Sequence, residues 1–170
     1  MHKVILSLGS NIEDRMQHLD FGLASIKKKI GNIIKVSSIY ETDPLGFESN
    51  CRFYNLCVSI ESILNPFEIL NNIQNIELEA GRTHKSKNNI YQSRTLDIDI
   101  ILMDNITLKS ENLSIPHPHF STRKFVLVPM NEICPDFIVA NTNKTVAEFL
   151  NDCRDFSYIK RLDSATINNY

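Results

Sequence analysis

The stretch SRTLDIDIIL, residues 93–102, constrains the fold more than any other part of the chain. Leucine and isoleucine alternate with other residues along it, and this period of two predicts a β-strand. Two of the alternating positions carry Asp97 and Asp99, although aspartate is among the poorest strand formers. Residues i and i+2 of a strand project from one face, so both carboxylates share a side. The opposite, core-facing side is expected to carry Leu96, Ile98, Ile100 and Leu102.

Further strand and helix patterns follow one another along the rest of the chain. A helix over 65–81 has clear signals, because Asn65 and Glu68 form a capping box and Gly81 suits the C-terminal cap. Short antiparallel strands mixed with helices predict one α+β domain, and 170 residues are enough for one domain with a core. The predicted strands lie at 3–8, 33–42, 53–62 and 93–102, and the predicted helices lie at 12–30, 65–81, 123–133 and from 145 onward.

Composition excludes several classes of partner. A net charge of −2, with 42% hydrophobic and 22% charged residues, gives no general attraction to nucleic acid or to an anionic membrane. No apolar run approaches the roughly 20 residues that span a bilayer, and the N-terminus lacks the pattern of a signal peptide. We therefore expect a cytoplasmic monomer whose four cysteines are free thiols.

The aspartate pair indicates a metal site. Adjacent carboxylates repel unless a cation lies between them, and Mg²⁺ is the usual cation where phosphates supply further ligands. Arginine and lysine residues surround the acidic strand in the sequence, and arginine commonly holds phosphate oxygens. The chain lacks GxxxxGK[ST] and GxGxxG, so P-loop and Rossmann sites are not expected. His117 and His119 have HxH spacing, but no third zinc ligand stands near them.

In combination, several motifs are similar to one family. The chain resembles the 6-hydroxymethyl-7,8-dihydropterin pyrophosphokinases of folate biosynthesis, and the resemblance covers most of its length. The matching pieces are LGSN (8–11), SSIYETDPLG (37–46), FYN (53–55), QNIELEAGR (74–82), SRTLDIDIIL (93–102), IPHPHF (115–120) and RKFVLVPMNEICP (123–135).

The resemblance implies a ferredoxin-like, mainly antiparallel sheet with helices packed on it, in a domain over 1–162 followed by a frayed tail over 163–170. It implies transfer of pyrophosphate from ATP to a reduced pterin, with Asp97 and Asp99 holding two Mg²⁺ ions. It places catalytic roles on Arg82, Arg94, His117 and Arg123, and ATP contacts on Gln74, Glu77, Lys85, Tyr91 and Ser114. The pterin would be bound by Thr42, Leu45, Phe53, Asn55 and Phe125.

Residue chemistry agrees with that pterin site. Phe53 and Asn55 share one face of their strand, while Tyr54 and Leu56 face the other way. A flat heterocycle stacks on an aromatic ring, and an amide can both donate to it and accept from it. The chain departs from the better-known bacterial members in lacking tryptophan, with Tyr91 as the nearest match, and in having His84 and Asn112 at two arginine positions.

Two other functions fit parts of the pattern. A metal-dependent phosphotransferase with another acceptor would share Asp97 and Asp99 without requiring the Phe53–Asn55 face. An RNA-binding module could use the same kind of sheet, with aromatic residues on its surface. The acidic strand and the negative net charge argue against RNA, because both repel a phosphate backbone.

Overall fold

The computed structural model describes residues 1–45, 51–81 and 93–162. Its helices are Arg15–Lys29 (α1), Pro66–Glu79 (α2), Lys124–Ile133 (α3) and Val146–Asp152 (α4), and a 3-10 turn covers Phe120–Thr122. Its strands are His2–Ser10 (β1), Asn32–Val36 (β2), Tyr40–Thr42 (β3), Phe53–Ser62 (β4), Asp97–Met103 (β5), Leu108–Lys109 (β6), Ser114–Ile115 (β7) and Ile159–Arg161 (β8).

The main sheet is antiparallel and has the order β5-β1-β4-β3-β8, with β2 also pairing with β4. The first part of the chain runs β1-α1-β2-β3-β4-α2-β5, which is the β-α-β-β-α-β order of ferredoxin-like folds once β2 and β3 are taken as one broken strand. The α+β prediction is therefore confirmed. None of the helices in the described ranges is long and apolar enough to cross a membrane.

One face of the sheet is a continuous apolar surface covered by α1 and α2. Leu6, Leu19 and Leu23 are fully buried there, and the α2 side contributes Ile69, Ile73 and Ile76. The predicted capping box begins α2: the Asn65 side chain accepts from the Glu68 backbone N–H, and the Glu68 carboxylate accepts from the Asn65 N–H. The apolar sides of both helices thus form this core.

The other face carries a second, smaller core beneath α3 and α4. It consists of Ile5, Cys57, Ile101, Leu102, Phe120, Val126, Leu127, Met130, Ile133, Cys134, Val139 and Val146. Two helix predictions, over 123–133 and from 145, are confirmed by α3 and α4.

The predicted strand over 33–42 is wrong in one respect, because it forms two strands. β2 pairs with one end of β4 and β3 with the other end. Between them Ser37 hydrogen-bonds to Cys57 twice, through its backbone N–H to the carbonyl and through its Oγ, which accepts from the Cys57 N–H. The side chain takes the place of a ladder partner here, which local propensity does not reveal.

The face assigned to Leu102 was also wrong. The register between β1 and β5 shifts, so that Leu6 pairs with Ile100 and Ile5 with Leu102. Ile101 is therefore an extra residue, a β-bulge, and alternation restarts after it. Leu102 consequently joins the α3 side with Ile101, while Met103 faces α1 and α2.

Three predicted segments fall partly or wholly outside the described residues. The tail over 163–170 does so entirely, and the polar segment over 82–93 does so except for Ser93. The loop predicted over 43–51 is described only at 43–45 and Cys51.

Candidate active site

The register of the three central strands brings the polar residues together. Gly9 of β1 lies between Asn55 of β4 and Asp97 of β5, and Ser7 lies between Cys57 and Asp99. Paired residues in a sheet project from the same face. Two rows of paired residues, Asn55–Gly9–Asp97 and Cys57–Ser7–Asp99, therefore run across the face opposite α1 and α2. Because β5 is the last strand of the sheet on this side, both aspartates lie at its edge.

Helix α3 covers only part of this face. Its residues Val126 and Leu127 are buried over Ile5 and Cys57, and the Cys57 thiol donates to the Val126 carbonyl at 3.6 Å. The helix starts at Lys124, so the rows nearest Asn55 and Asp97 are left uncovered. The N-terminus of α3 is thus the boundary between the second core and an open cavity.

That cavity has a volume of about 200 Å³. All five residues predicted to bind the pterin line it, together with both aspartates and three predicted catalytic residues. The lining residues are Ser7, Gly9, Thr42, Asp43, Leu45, Phe53, Asn55, Arg94, Asp97, Asp99, His117, Arg123 and Phe125.

The apolar end of the cavity holds a fixed amide. Asn55 is 4% exposed, and its Nδ2 donates to Thr42 Oγ1 at 2.8 Å. Gly9 lies directly opposite, and a Cβ added there would come within 2.7 Å of Asn55 Oδ1. Glycine is therefore required at position 9 for the amide to keep this place beside Phe53.

The acidic end is anchored to the turn after β1. The Asn11 side chain accepts from the Arg94 backbone N–H at 2.7 Å and donates to Ser93 Oγ at 3.1 Å, and the Asn11 N–H donates to the Arg94 carbonyl. These hydrogen bonds hold the backbone of Arg94, and its guanidinium forms an ion pair with Asp97. Residues 93–96 therefore form a loop that is hydrogen-bonded to the turn after β1, and the strand β5 begins only at Asp97.

His117 enters the cavity as a neutral hydrogen-bond donor. Its backbone N–H donates to the carbonyl of the bulged Ile101 at 2.9 Å, and its Nδ1 accepts from the His119 N–H at 3.2 Å. Burial, followed by the charges of Arg123 and His119, lowers the pKa of His117 to about 4, against a smaller opposing effect of Asp97. With Nδ1 accepting, the ring proton resides on Nε2.

Arg123 directly precedes α3, and Phe125 lies in the first turn of the helix. The Arg123 guanidinium lies 5.7 Å from the centre of the Phe125 ring. Cation and ring thus line the cavity as a pair.

Among the described residues, three predicted ATP contacts do not line this cavity. Glu77 is buried in α2 and its Oε1 accepts from the Ile98 N–H at 2.9 Å, which steadies β5 between the two aspartates. Gln74 lies one turn earlier in α2, half-buried, and Ser114 pairs with Lys109 in the β6–β7 hairpin. Arg82, Lys85 and Tyr91 lie outside the described residues.

Sequence reasoning missed three lining residues, Ser7, Gly9 and Asp43. A signal for two of them was present, because Ser7 and Gly9 occupy alternate positions of an otherwise apolar strand and so share a face. Asp43 has no comparable pattern, and its place depends on the pairing of β3 with β4.

Comparison with known proteins gives a consistent result. Residues 5–135 match the family model of 7,8-dihydro-6-hydroxymethylpterin-pyrophosphokinase. The chain is 44% identical over 130 residues to the 2-amino-4-hydroxy-6-hydroxymethyldihydropteridine pyrophosphokinase of Bacillus subtilis, covering 76% of each chain. It is 32% identical to the Pseudomonas aeruginosa protein of the same name, covering 97% of this chain and 99% of that one.

Solved structures show the same fold. A Plasmodium falciparum HPPK-DHPS triple mutant superposes with a TM-score of 0.72 at 19% identity, over 89% of this chain. The chain spans less than half of that protein, 43% of its length.

Proposed function

The chain belongs to the 7,8-dihydro-6-hydroxymethylpterin-pyrophosphokinase family, and we propose how its cavity performs the family's reaction. The terminal pyrophosphoryl unit of ATP is transferred to the hydroxymethyl oxygen of 6-hydroxymethyl-7,8-dihydropterin. AMP and the pterin diphosphate are the products, and the reaction belongs to tetrahydrofolate biosynthesis.

One observation carries the proposal: the acidic pair and the aromatic–amide wall line a single cavity. The pterin ring would stack on Phe53 and Phe125, and Asn55 and Thr42 would read its polar edge. This orientation would direct the hydroxymethyl oxygen toward Asp97 and Asp99. A positioned acceptor of this kind is the main requirement of phosphoryl transfer, which involves little covalent chemistry by the protein.

The donor set fits Mg²⁺ brought in with the nucleotide. Asp97 and Asp99 offer carboxylate oxygens from one strand face, and no cluster of three His, Cys, Asp or Glu residues suited to a metal occurs in the described ranges. Mg²⁺ keeps near-octahedral oxygen coordination and is commonly held by one or two carboxylates plus substrate phosphates. When bound, it would neutralise phosphate charge; two ions, both held by Asp97 and Asp99, are proposed.

Arg94, Arg123 and His117 would bind the phosphate oxygens. The two guanidinium groups, which line the same cavity as the aspartates, supply positive charge, and Nε2 of the neutral His117 supplies a hydrogen bond without charge. Charge accumulating on the AMP side of the breaking bond is stabilised by such preorganised donors. Gln74, Glu77, Lys85, Tyr91 and Ser114 are proposed as further ATP contacts, and Arg82 as a further catalytic residue.

Product analysis tests the proposal. The purified chain is incubated with ATP, Mg²⁺ and 6-hydroxymethyl-7,8-dihydropterin, and the nucleotides are separated by chromatography. Attack at the β-phosphorus predicts AMP and pterin diphosphate in equal amounts. ADP as the sole product would instead indicate γ-phosphoryl transfer, and unchanged ATP would reject the proposed transfer altogether.

A further inference from the structure

The segment that follows α4 returns to the cavity. Residues 153–158 pass the N-terminus of α3, and β8 then pairs with β3 so that Ile159 lies opposite Thr42. This segment lies beyond residue 135, where the match to the family model ends. The short strand that carries Thr42 is thereby held on both sides, by β4 and by β8.

Asp155 supplies the cap that α3 lacks in its own sequence. The residue before the helix is Arg123, and an arginine side chain has no acceptor for the first backbone N–H groups. Asp155 Oδ2 accepts from the Lys124 N–H at 2.9 Å, while Oδ1 accepts from the Ser157 N–H at 2.9 Å. A carboxylate here also complements the positive end of the helix dipole.

The Asp155 carboxylate is charged at neutral pH. Burial acts to raise its pKa, but hydrogen bonds from Ser157 and Lys124 outweigh burial and lower it. The charged cap fixes the start of α3, where Arg123 precedes the helix and Phe125 lies in its first turn, and both residues line the cavity. Lys124 Nζ donates to the Ser157 carbonyl at 3.4 Å and joins the same two segments again.

Tyr158 acts on the opposite wall. The guanidinium of Arg52 lies 3.9 Å from the centre of the Tyr158 ring, a cation–π contact. Arg52 Nε donates to Asp43 Oδ1 at 2.9 Å, and Asp43 lines the cavity directly after Thr42. Tyr158 therefore holds Arg52, and Arg52 holds the end of β3.

We propose that residues 155–161 form the outer support of the pterin site, with Asp155 and Tyr158 as positioning residues for its two walls. The inference rests on the proposed function, since it assigns the supported walls to the pterin. Neither residue touches the substrate in this scheme. Asp155 acts through Arg123 and Phe125, and Tyr158 acts through Arg52 and Asp43.

The test compares paired variants of the full chain. Asp155→Ala removes the cap, whereas Asp155→Asn retains one acceptor oxygen and so can keep only one of the two hydrogen bonds, from Lys124 or from Ser157. Tyr158→Ala removes the ring, whereas Tyr158→Phe retains it. Asp152→Ala is the matched control, because Asp152 is an exposed carboxylate three residues earlier whose partner is Lys144.

Steady-state KM is measured for pterin and for MgATP, at a temperature where circular dichroism shows each variant fully folded. We expect Asp155→Ala to raise the pterin KM about fivefold, which is the fold-change equivalent to about 1 kcal/mol, the typical contribution of a helix cap to stability. Tyr158→Ala should raise it about threefold, as expected for an exposed cation–π contact. The KM for MgATP should change less than about twofold in Tyr158→Ala, and it should also rise in Asp155→Ala, because Asp155 acts through Arg123. Loss of folded protein would instead lower the maximal rate and leave both KM values unchanged.

Binding of 6-hydroxymethylpterin, measured by calorimetry without nucleotide, should weaken in the same order. Tyr158→Phe and Asp152→Ala should match the unmodified chain, and Asp155→Asn should fall between it and Asp155→Ala. If Asp155→Ala and Tyr158→Ala behave like Asp152→Ala, or if Tyr158→Ala shifts both KM values equally, the inference is wrong while the proposed function stands. An unmodified chain that neither binds the pterin nor forms AMP would overturn both.

Discussion

The two faces of the sheet are built from the same strands and differ in almost every other respect. On β1, Leu6 and Leu8 face α1 and α2 and are fully buried, whereas Ser7 and Gly9 face the cavity. Beneath α1 and α2 the first face is filled mainly with leucine, isoleucine and valine. The second carries an apolar core where α3 covers it, and beyond that point small or polar residues together with Phe53. Alternate positions of one strand therefore serve different purposes: one set of side chains stabilises the core, and the other set lines the cavity.

The largest expected effect tests the acidic end of the cavity face. Asp97→Asn or Asp99→Asn should lower kcat about 10²–10³-fold or more, as losing a preorganised electrostatic group does. The free energy of unfolding should change by no more than about 1 kcal/mol, since the ion pair of Asp97 with Arg94 is partly exposed. Activity assays and denaturant unfolding measure the two quantities.

Asp104→Asn is the matched control for that pair. Asp104 follows the same strand, and its carboxylate accepts from the Lys3 N–H and bonds His2 at the end away from the cavity. Its activity should equal that of the unmodified chain. Near-normal turnover in both Asp97→Asn and Asp99→Asn would reject the metal assignment.

A second prediction compares neighbouring residues on opposite faces. Leu6→Ala should lower the free energy of unfolding by about 2–5 kcal/mol, because it opens a space in a fully buried core. Ser7→Ala removes only a hydroxyl and should cost less than about 1 kcal/mol. In urea melts and kinetic assays, Leu6→Ala should leave kcat per folded molecule unchanged. A large activity loss in folded Leu6→Ala would show that the faces are not independent.

The third prediction places one methyl group on each face. Gly9→Ala pushes a Cβ against the buried Asn55 amide, and we expect the pterin KM to rise about tenfold, equivalent to about 1.4 kcal/mol. Gly22→Ala on α1 places its Cβ at 3.0–3.3 Å from Leu8 and Leu96. That variant should alter the thermal midpoint without altering the pterin KM. Equal KM values in both variants would contradict a tight fit at Gly9.

The smallest expected effect concerns the hydrogen bond from Tyr40 of β3 to Glu132 of α3. Burial, followed by a hydrogen bond to and the charge of Glu132, raises the pKa of Tyr40 to about 12. Unfolded tyrosine ionises near pH 10, so this contribution to stability is complete below about pH 10 and is lost as pH rises toward 12. Tyr40→Phe should cost about 1 kcal/mol.

Spectrophotometric titration checks this last prediction. The unmodified chain should show one tyrosine that ionises about two pH units later than free tyrosine, and Tyr40→Phe should lack it. If Tyr40→Phe keeps the late ionisation, the assignment to Tyr40 is incorrect.

Sequence patterns predicted much of the cavity because its residues sit on regular strands. Alternation assigned Phe53 and Asn55 to one face of β4, and Asp97 and Asp99 to one face of β5, as the structure has them. Patterns failed where a strand departs from regularity. The bulge at Ile101 reversed the side of Leu102, and Ser37 broke one predicted strand into two.

By itself, the sequence determined the α+β class, the presence and approximate extent of the helices and, along regular strands, which side chains share a face, because these depend on local periodicity and capping. Tertiary structure alone decided which strands lie side by side, in which register, and which segments contact each other. Gly9 lies beside Asn55 and Asp97 through the register of three strands far apart in the chain, and Asp155 caps a helix 31 residues away. Register and long-range capping are fixed by packing of the whole domain, which no local pattern encodes.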